Sequence, residues 1–419
     1  MRTFFSEPKT LREAIKPLVY LNWFLGLGIF RQPNHTAFMH FAMQLHTVIA
    51  NTMRLIITYI GMDDALQKLD YGNMSPMSIM MYKTLMWISS CIVVSTPLLV
   101  WIRKKSCRGC LQEMTALEDL FQSTLGIENN YKKLHTRINV RSIIGVLIGS
   151  IVSISDQAMN PDRFQGPLNI WDFCIFAAVH QQILIIILLD LIFCVSIECV
   201  REKFRSLNDN LLKLARQTAT LSSNESLSIA VRVNVNTTPR NGRERKPLQS
   251  MTTKQYYFLR KIRKAHWELC KLAKQINDTF GLQNLMFMGI SFVMITGLLY
   301  TIYSAYTWHN STRCKTFEIT TATVWVAVFT SHIWMICHLC CSTSNEAQRT
   351  REILCEFSTA NINDAELQTE VDKFAVQTSQ NPVKFDACGF FYMDYAFVQS
   401  VIGSITTYLV ILIQMSGRS

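Results

Sequence analysis

Seven long apolar stretches, separated by charged segments, constrain this chain more than any other feature. A helix needs about 20 mainly apolar residues to cross the hydrocarbon core of a bilayer. Only 17% of the 419 residues are charged and 49% are hydrophobic, which is too little charge for an ordinary soluble protein of this length. The sequence therefore predicts an all-α integral membrane protein with seven transmembrane helices. The predicted spans are residues 37–60, 79–102, 143–159, 170–200, 285–306, 319–341 and 389–415.

The sequence supports the seven predicted spans to different degrees. The fourth is the clearest, because residues 182–189 form an almost unbroken run of Ile and Leu that no amphipathic surface helix would carry on all sides. The first is the weakest, since Gln44, His46, Asn51 and Arg54 interrupt it. A surface amphipathic helix is the alternative interpretation of that stretch.

Lys and Arg are concentrated on alternate sides of the predicted spans. Segments 1–36, 103–142 and 342–388 hold 17 basic residues, whereas the segments on the opposite side hold five. Because positively charged loops stay in the cytoplasm, we predict a cytoplasmic N-terminus and an extracellular C-terminus. The same pattern accounts for the net charge of +11 through topology and anionic membrane lipids, so we expect no nucleic-acid partner.

The segments between the spans predict the domain organisation. Residues 217–254 are rich in Ser, Thr, Asn and Arg, which predicts disorder, whereas residues 256–280 carry an apolar stripe at helical spacing. The predicted units are a cytoplasmic segment with a pre-span helix (1–36), the first four spans as a ligand-binding bundle (37–200), a cytoplasmic loop with an anchor helix at 256–280 (201–284), two further spans (285–341), a cytoplasmic anchor segment (342–388) and the last helix (389–419).

Motifs for catalysis or metal binding are missing from the sequence. The pair formed by Cys107 and Cys110 is a lone CxxC, whereas a structural zinc site requires four ligands. No nucleophile elbow, zinc-protease motif or nucleotide-binding loop occurs. We therefore expect no enzymatic activity, no metal and no cofactor.

The last predicted span carries the most specific motif. Residues 407–414 read Thr-Tyr-Leu-Val-Ile-Leu-Ile-Gln and are followed by Met415. This segment resembles the TYhhhhhQF signature of insect gustatory receptors, in which h is any hydrophobic residue, and only the final Phe differs. Upstream, residues 387–391 read Ala-Cys-Gly-Phe-Phe and resemble the AxGxF segment that the same family places at the start of its last helix.

The resemblance implies a gustatory receptor that acts as a ligand-gated, non-selective cation channel, with four subunits around a central pore. It places Thr407, Tyr408, Gln414 and Met415 along the pore or at its gate, although helix packing is an alternative role for Thr407 and Tyr408. It further implies a small extracellular tastant, a homotetramer or an assembly with related receptors, and the plasma membrane of a sensory dendrite. The alternative is a metabotropic receptor that couples to a G protein and has an extracellular N-terminus.

Polar and aromatic residues at the predicted outer ends of the spans are the candidates for ligand binding, because polar groups inside a membrane are costly. Aromatic residues at helix ends also form interfacial belts, which is the alternative for this set. The candidates are Asp156, Gln157, Trp171, Phe176, His180, Tyr300, Tyr303, Tyr306 and Trp325. Two glycosylation sequons, at Asn73 and Asn310, lie on the predicted outer side.

Overall fold

The computed structural model describes residues 8, 10–29, 37–67, 76–126, 131–158, 170–234, 245–308, 312–359 and 364–416, and these are almost entirely helical. Two short helices precede the first predicted span, and a short helix, α9, precedes the last. The helices of the described ranges are α1 (Leu11–Ala14), α2 (Lys16–Phe24), α3 (Ala37–Gln67), α4 (Pro76–Leu125), α5 (Tyr131–Ala158), α6 (Ile170–Asn234), α7 (Arg245–Trp308), α8 (Thr312–Thr359), α9 (Ala365–Gln380) and α10 (Tyr395–Ser416).

Each predicted span corresponds to one long helix, from α3 to α8 and α10. In the described part of the chain, five helices have the length and apolar composition needed to cross a bilayer. They are Ile79–Leu125, Ile183–Thr220, Thr253–Thr307, Ile319–Ser358 and Tyr395–Ser416. The chain is therefore a helical protein with several potential membrane-crossing segments, and the number of crossings and the side of each terminus stay predictions.

The last helix begins later than the sequence predicts. The prediction started it at Gly389, but α10 begins at Tyr395, because residues 386–392 form a tight turn closed by a bridge between Asp386 and Tyr392. Gly389 has a φ of 78°, which a glycine adopts without strain. The carboxylate of Asp394 then accepts a hydrogen bond of 2.9 Å from the backbone N–H of residue 397 and caps the helix.

This turn is attached to α7 by a side chain. The backbone N–H of Asp386 donates to Oδ1 of Asn277 over 3.0 Å, and Asn277 is 6% exposed. A Cβ on Gly281, one turn further along α7, would lie 3.3 Å from the backbone nitrogen of Cys388, so the turn packs closely on this helix. The segment that resembles the family motif upstream of the last helix thus fixes where α10 starts relative to α7.

The helices α6, α7 and α8 continue well beyond their apolar segments. The 64 residues of α7 correspond to about 95 Å, roughly three times the thickness of the hydrocarbon core. The polar halves of these helices pack with α9 around one part of the continuous buried core, here called the anchor core. Its members are each no more than 2% exposed: Phe204, Leu207, His266, Leu354, Phe357 and Phe374.

Ring contacts and polar contacts hold the anchor core together. The ring of His266 meets the rings of Phe204 and Phe374 edge-on, with centroids 5.5 and 5.3 Å apart. The amide of Asn208, fully buried on α6, donates to the carbonyl oxygen of Glu346 on α8 over 2.8 Å. Its oxygen accepts a hydrogen bond of 2.6 Å from the hydroxyl of Thr350. The predicted stripe on α7 faces this interior, since its members are at most 3% exposed: Leu259, Ile262, Leu269, Leu272 and Ile276.

The segment predicted to be disordered, 217–254, is partly helical. The helix α6 continues to Asn234 and α7 begins at Arg245, and residues 235–244 lie outside the described residues. Both helices extend from packed segments, and each residue added to an existing helix gains a hydrogen bond without a new nucleation step. Composition alone therefore underestimated the helix content of this loop.

A cluster of charges connects α5 to α6. Nη1 of Arg137 donates to Glu198 and to Glu202 over 2.7 Å each, and Arg141 also donates to Glu198. Arg201 forms an ion pair of 3.3 Å with the same carboxylate and donates to Oγ of Ser342 on α8 over 3.2 Å. The side chain of Glu198 is only 4% exposed, and three guanidinium groups share this one buried carboxylate.

Candidate functional site

One face of α10 is turned away from the rest of the subunit. Ile405 is 8% exposed, and α10 packs on α7 and α8. A helix turns by about 100° per residue, so Thr407 and Gln414, two and nine residues later, lie about 200° and 180° around the helix from Ile405. Both side chains are exposed. The two polar residues of the signature therefore share the outward face of this helix.

The outward face of α10 combines small and polar residues with apolar ones, since Val410 and Ile411 are 47% and 44% exposed between Thr407 and Gln414. Gly403 and Ser400 lie on it with Thr407 and Gln414. The hydroxyl of Thr407 donates to the carbonyl oxygen of Gly403 over 3.0 Å, and that of Ser400 donates to the carbonyl oxygen four residues earlier over 3.0 Å. The small and polar positions of this face suit contact with water or with a neighbouring subunit better than contact with lipid.

The other two signature residues lie on the flank of α10. The ring of Tyr408 meets the ring of Phe292 on α7 edge-on, with centroids 5.8 Å apart and planes at 79°. Tyr408 is nevertheless 54% exposed, and Met415 is 56% exposed beside Gln414. This contact supports a packing role for Tyr408, which connects α10 to α7, the helix that carries Tyr300, Tyr303 and Tyr306.

Those tyrosines occupy different environments on α7. Tyr300 is 1% exposed, its ring lies 6.3 Å from that of Tyr303, and its hydroxyl has no hydrogen-bond partner among the described residues. Tyr306 is 67% exposed. On α8, Trp325 is half-buried and stacks on Phe329 at 5.5 Å. A buried phenol without a partner is costly, and a polar ligand could satisfy it.

The structure describes few side chains among the remaining predicted site residues. His180 is half-buried on α6. The residues Asp156, Gln157, Trp171 and Phe176 lie in helices, but their side chains are outside the described part of the structure. The sequon residues Asn73 and Asn310 also lie outside the described residues.

An aspartate and a histidine, neither of them among the predicted site residues, form a close contact between α6 and α8. Nε2 of His332 on α8 lies 2.8 Å from Oδ2 of Asp190 on α6, and the Asp190 side chain is 8% exposed. The ring of Phe287 on α7 meets the His332 ring edge-on at 6.4 Å. The signal available in the sequence was Asp190 itself, because a carboxylate within an apolar run of a predicted span requires a partner.

Comparison with known proteins decides the class of receptor. A family model described as 7tm chemosensory receptor matches residues 15–416, almost the whole chain. The chain belongs to the 7tm chemosensory receptor family. This assignment confirms the resemblance predicted from the last helix, and it makes the chain a membrane receptor, not an enzyme.

Individual relatives of this chemosensory receptor match over shorter stretches. It is 30% identical over 153 residues to gustatory and pheromone receptor 32a of Drosophila melanogaster, across 36% of this chain and 32% of the relative. It is 30% identical over 152 residues to gustatory receptor 68a of the same species, across 35% and 38% of the two chains. The chain thus matches about a third of the length of these curated relatives.

The fold of this chemosensory receptor also matches a solved structure along its whole length. The insect olfactory receptor OR5 from Machilis hrabei, determined in complex with eugenol, superposes with a TM-score of 0.62 and covers 97% of this chain and 98% of its own. The two sequences are 13% identical, so the likeness is one of fold.

Proposed function

We propose that this receptor is a ligand-gated, non-selective cation channel that detects a small extracellular tastant at the plasma membrane of a sensory dendrite. The observation that carries the proposal is the outward face of α10, where Thr407 and Gln414 are exposed beside small residues. A helix within a bilayer that turns polar groups away from its own subunit needs water or another subunit beside it. A pore between subunits supplies both.

Four copies, or copies of related receptors, would surround the pore with their α10 helices. Gln414 would then offer an amide to passing cations, and Met415 a flexible apolar side chain beside it. A narrow apolar constriction blocks ions by excluding water. The Met415 side chains of the four subunits would therefore close the path when they come close together. Met is more flexible than the Phe of the family signature, and this difference favours a less rigid seal.

The movement caused by ligand binding would be transmitted to the gate through α7. This helix carries the buried Tyr300 at the proposed ligand pocket and Phe292 at the contact with Tyr408 of α10. The two positions are eight residues apart, or about 12 Å along the helix. A ligand that accepts or donates a hydrogen bond at Tyr300 would shift α7 and, through the ring contact, move α10. The eugenol complex of the insect olfactory receptor is an example of a small ligand bound by this fold.

Expression of the chain alone, with currents recorded under blocked G-protein signalling, tests this function. We expect a panel of sugars, amino acids and bitter compounds to contain a ligand that opens a cation current within milliseconds. A response that requires G-protein signalling would contradict the channel and favour the metabotropic alternative.

The same recordings test the role of Tyr300. Replacing Tyr300 with Phe removes one buried hydroxyl, and we expect the half-maximal ligand concentration to rise about 3- to 10-fold, the worth of one hydrogen bond. The matched control is Tyr257→Phe, which makes the same change at an exposed position of the same helix, outside the candidate ligand-binding residues. Equal shifts in both variants, or none in Tyr300→Phe, would remove Tyr300 from the ligand pocket.

A further inference from the structure

The end of the apolar segment of α4 carries a cleft that the proposed function does not use. Trp101 and Ile102, the last residues of the predicted span, are 75% and 61% exposed. The next turns contribute Lys104, Lys105 and Arg108 to the same cleft, which has a volume of about 480 Å³. An apolar wall and a cationic wall therefore meet within two turns of one helix.

Two positive charges of the cleft, those of Lys104 and Arg108, lie close enough to act on each other. None of the described residues that line it is acidic. Nε of Arg108 donates to the carbonyl oxygen of Ile29 over 2.7 Å, and the ammonium of Lys104 lies 3.7 Å from where a Cβ on Gly28 would be. Burial lowers the pKa of the Lys104 ammonium and the neighbouring Arg108 lowers it further, so an anion between them would relieve both effects.

The position of the cleft along α4 places it at the membrane surface. The helix has 50 residues and is about 75 Å long, whereas the hydrocarbon core is about 30 Å thick. The predicted span ends at residue 102, so the two apolar residues reach the edge of the core and the lysines reach the headgroups. Trp favours this level, and basic residues beside a span attract the anionic lipids of the cytoplasmic leaflet.

We propose that this cleft binds the headgroup of an anionic phospholipid of the cytoplasmic leaflet, with Lys104 and Lys105 on the phosphate and the acyl chains along Trp101. The proposal depends on α4 crossing the bilayer and not on channel gating. A bound lipid would connect the start of the cytoplasmic part of α4 to the membrane and to the segment at Gly28, which approaches the same lysine.

A second basic groove supplies the control. It lies between α7 and α9 and includes Lys261, Lys264, Trp267 and Lys373. Its α7 members lie at least 18 residues before the predicted span at 285, or about 27 Å from it, which is too far for contact with a headgroup. The pair Lys261→Gln/Lys264→Gln removes the same charge as Lys104→Gln/Lys105→Gln without touching the cleft.

Fluorescent phosphatidylserine and phosphatidylcholine in mixed micelles with the purified full chain test the site. We expect the wild type to bind phosphatidylserine more tightly, and Lys104→Gln/Lys105→Gln to weaken that binding about 10- to 30-fold. The control pair should bind as the wild type does, and Lys104→Arg/Lys105→Arg should restore binding because the charge is kept. Binding is measured without current, so this result and that of the channel assay are independent.

Three outcomes would overturn the lipid site. The first is equal binding of the two phospholipids by the wild type. The second is an equal loss in the control pair, which would indicate attraction by overall charge alone. The third is competition by soluble glycerophosphoserine at the same concentration as the lipid, which would make the ligand a free phosphate ester. If the Gln pair fails to fold, as judged by size-exclusion chromatography, the Arg pair and the wild-type preference decide the proposal.

Discussion

Replacing Phe374 with Ala should lower the free energy of unfolding by about 3–5 kcal/mol, the largest effect that we expect from any single truncation in the anchor core. The ring is 0% exposed and meets the ring of His266 edge-on at 5.3 Å. Its removal leaves a cavity where α9 packs on α7 and α8. For a chain of this length, we expect the melting midpoint in detergent to fall by about 3–6 °C.

The control for this prediction is the same substitution at an exposed ring. Phe390 is 77% exposed in the turn before α10, so Phe390→Ala should change the melting midpoint by less than about 1 °C. Since α9 leads through that turn into α10, Phe374→Ala should also reduce ligand-evoked current. Equal melting midpoints for the two variants would show that α9 does not contribute to the stability of the anchor core.

Replacing Glu198 with Gln should cost about 2–4 kcal/mol, because it removes the one buried carboxylate that three arginines share. Gln keeps the size of the side chain but leaves the guanidinium groups of Arg137, Arg141 and Arg201 without their common counter-charge. A hydrogen bond to Glu202 and the charge of Glu198 raise the pKa of Arg137, and burial opposes them. Since an arginine is protonated at any physiological pH, Arg137 keeps its charge in both proteins. Thermal melting of the purified variant measures the loss.

The neighbouring carboxylate provides a matched comparison. Glu202 lies one turn further along α6 and pairs with the same Arg137, but its side chain is 47% exposed. Glu202→Gln should therefore cost less than about 1 kcal/mol, the usual worth of an exposed ion pair. A larger loss for Glu202→Gln than for Glu198→Gln would contradict the assignment of Glu198 as the centre of the cluster.

Much of the fold could be predicted from local patterns. Apolar runs located the long helices, and the apolar stripe on α7 coincides with a buried face, because both follow from the helical repeat. The start of α10 could not be predicted from hydropathy, since residues 389–394 are apolar enough to pass for helix. The turn depends on the positive φ of Gly389 and on the contact between Asp386 and Asn277 of another helix.

The candidate site was predictable in part. The spacing of Thr407 and Gln414 already placed them on one face, but only the packing of α10 shows that this face points away from the subunit. The partner of Asp190 could not be found from sequence, because His332 is far away in the chain and reaches it only when α6 and α8 pack. Tyr300 and Tyr306 look alike in sequence, yet their burial differs completely.

Ligand-evoked currents through Gln414→Glu and Gln414→Lys would show whether α10 lines the ion path. The two variants place opposite charges at one position, so each controls for the disturbance caused by the other. If α10 lines the ion path, Gln414→Glu should raise the permeability for Ca²⁺ relative to Na⁺, and Gln414→Lys should reduce cation current severalfold. Identical permeability ratios in both variants and the wild type, with normal surface expression, would contradict the account, because they would place Gln414 away from the pore.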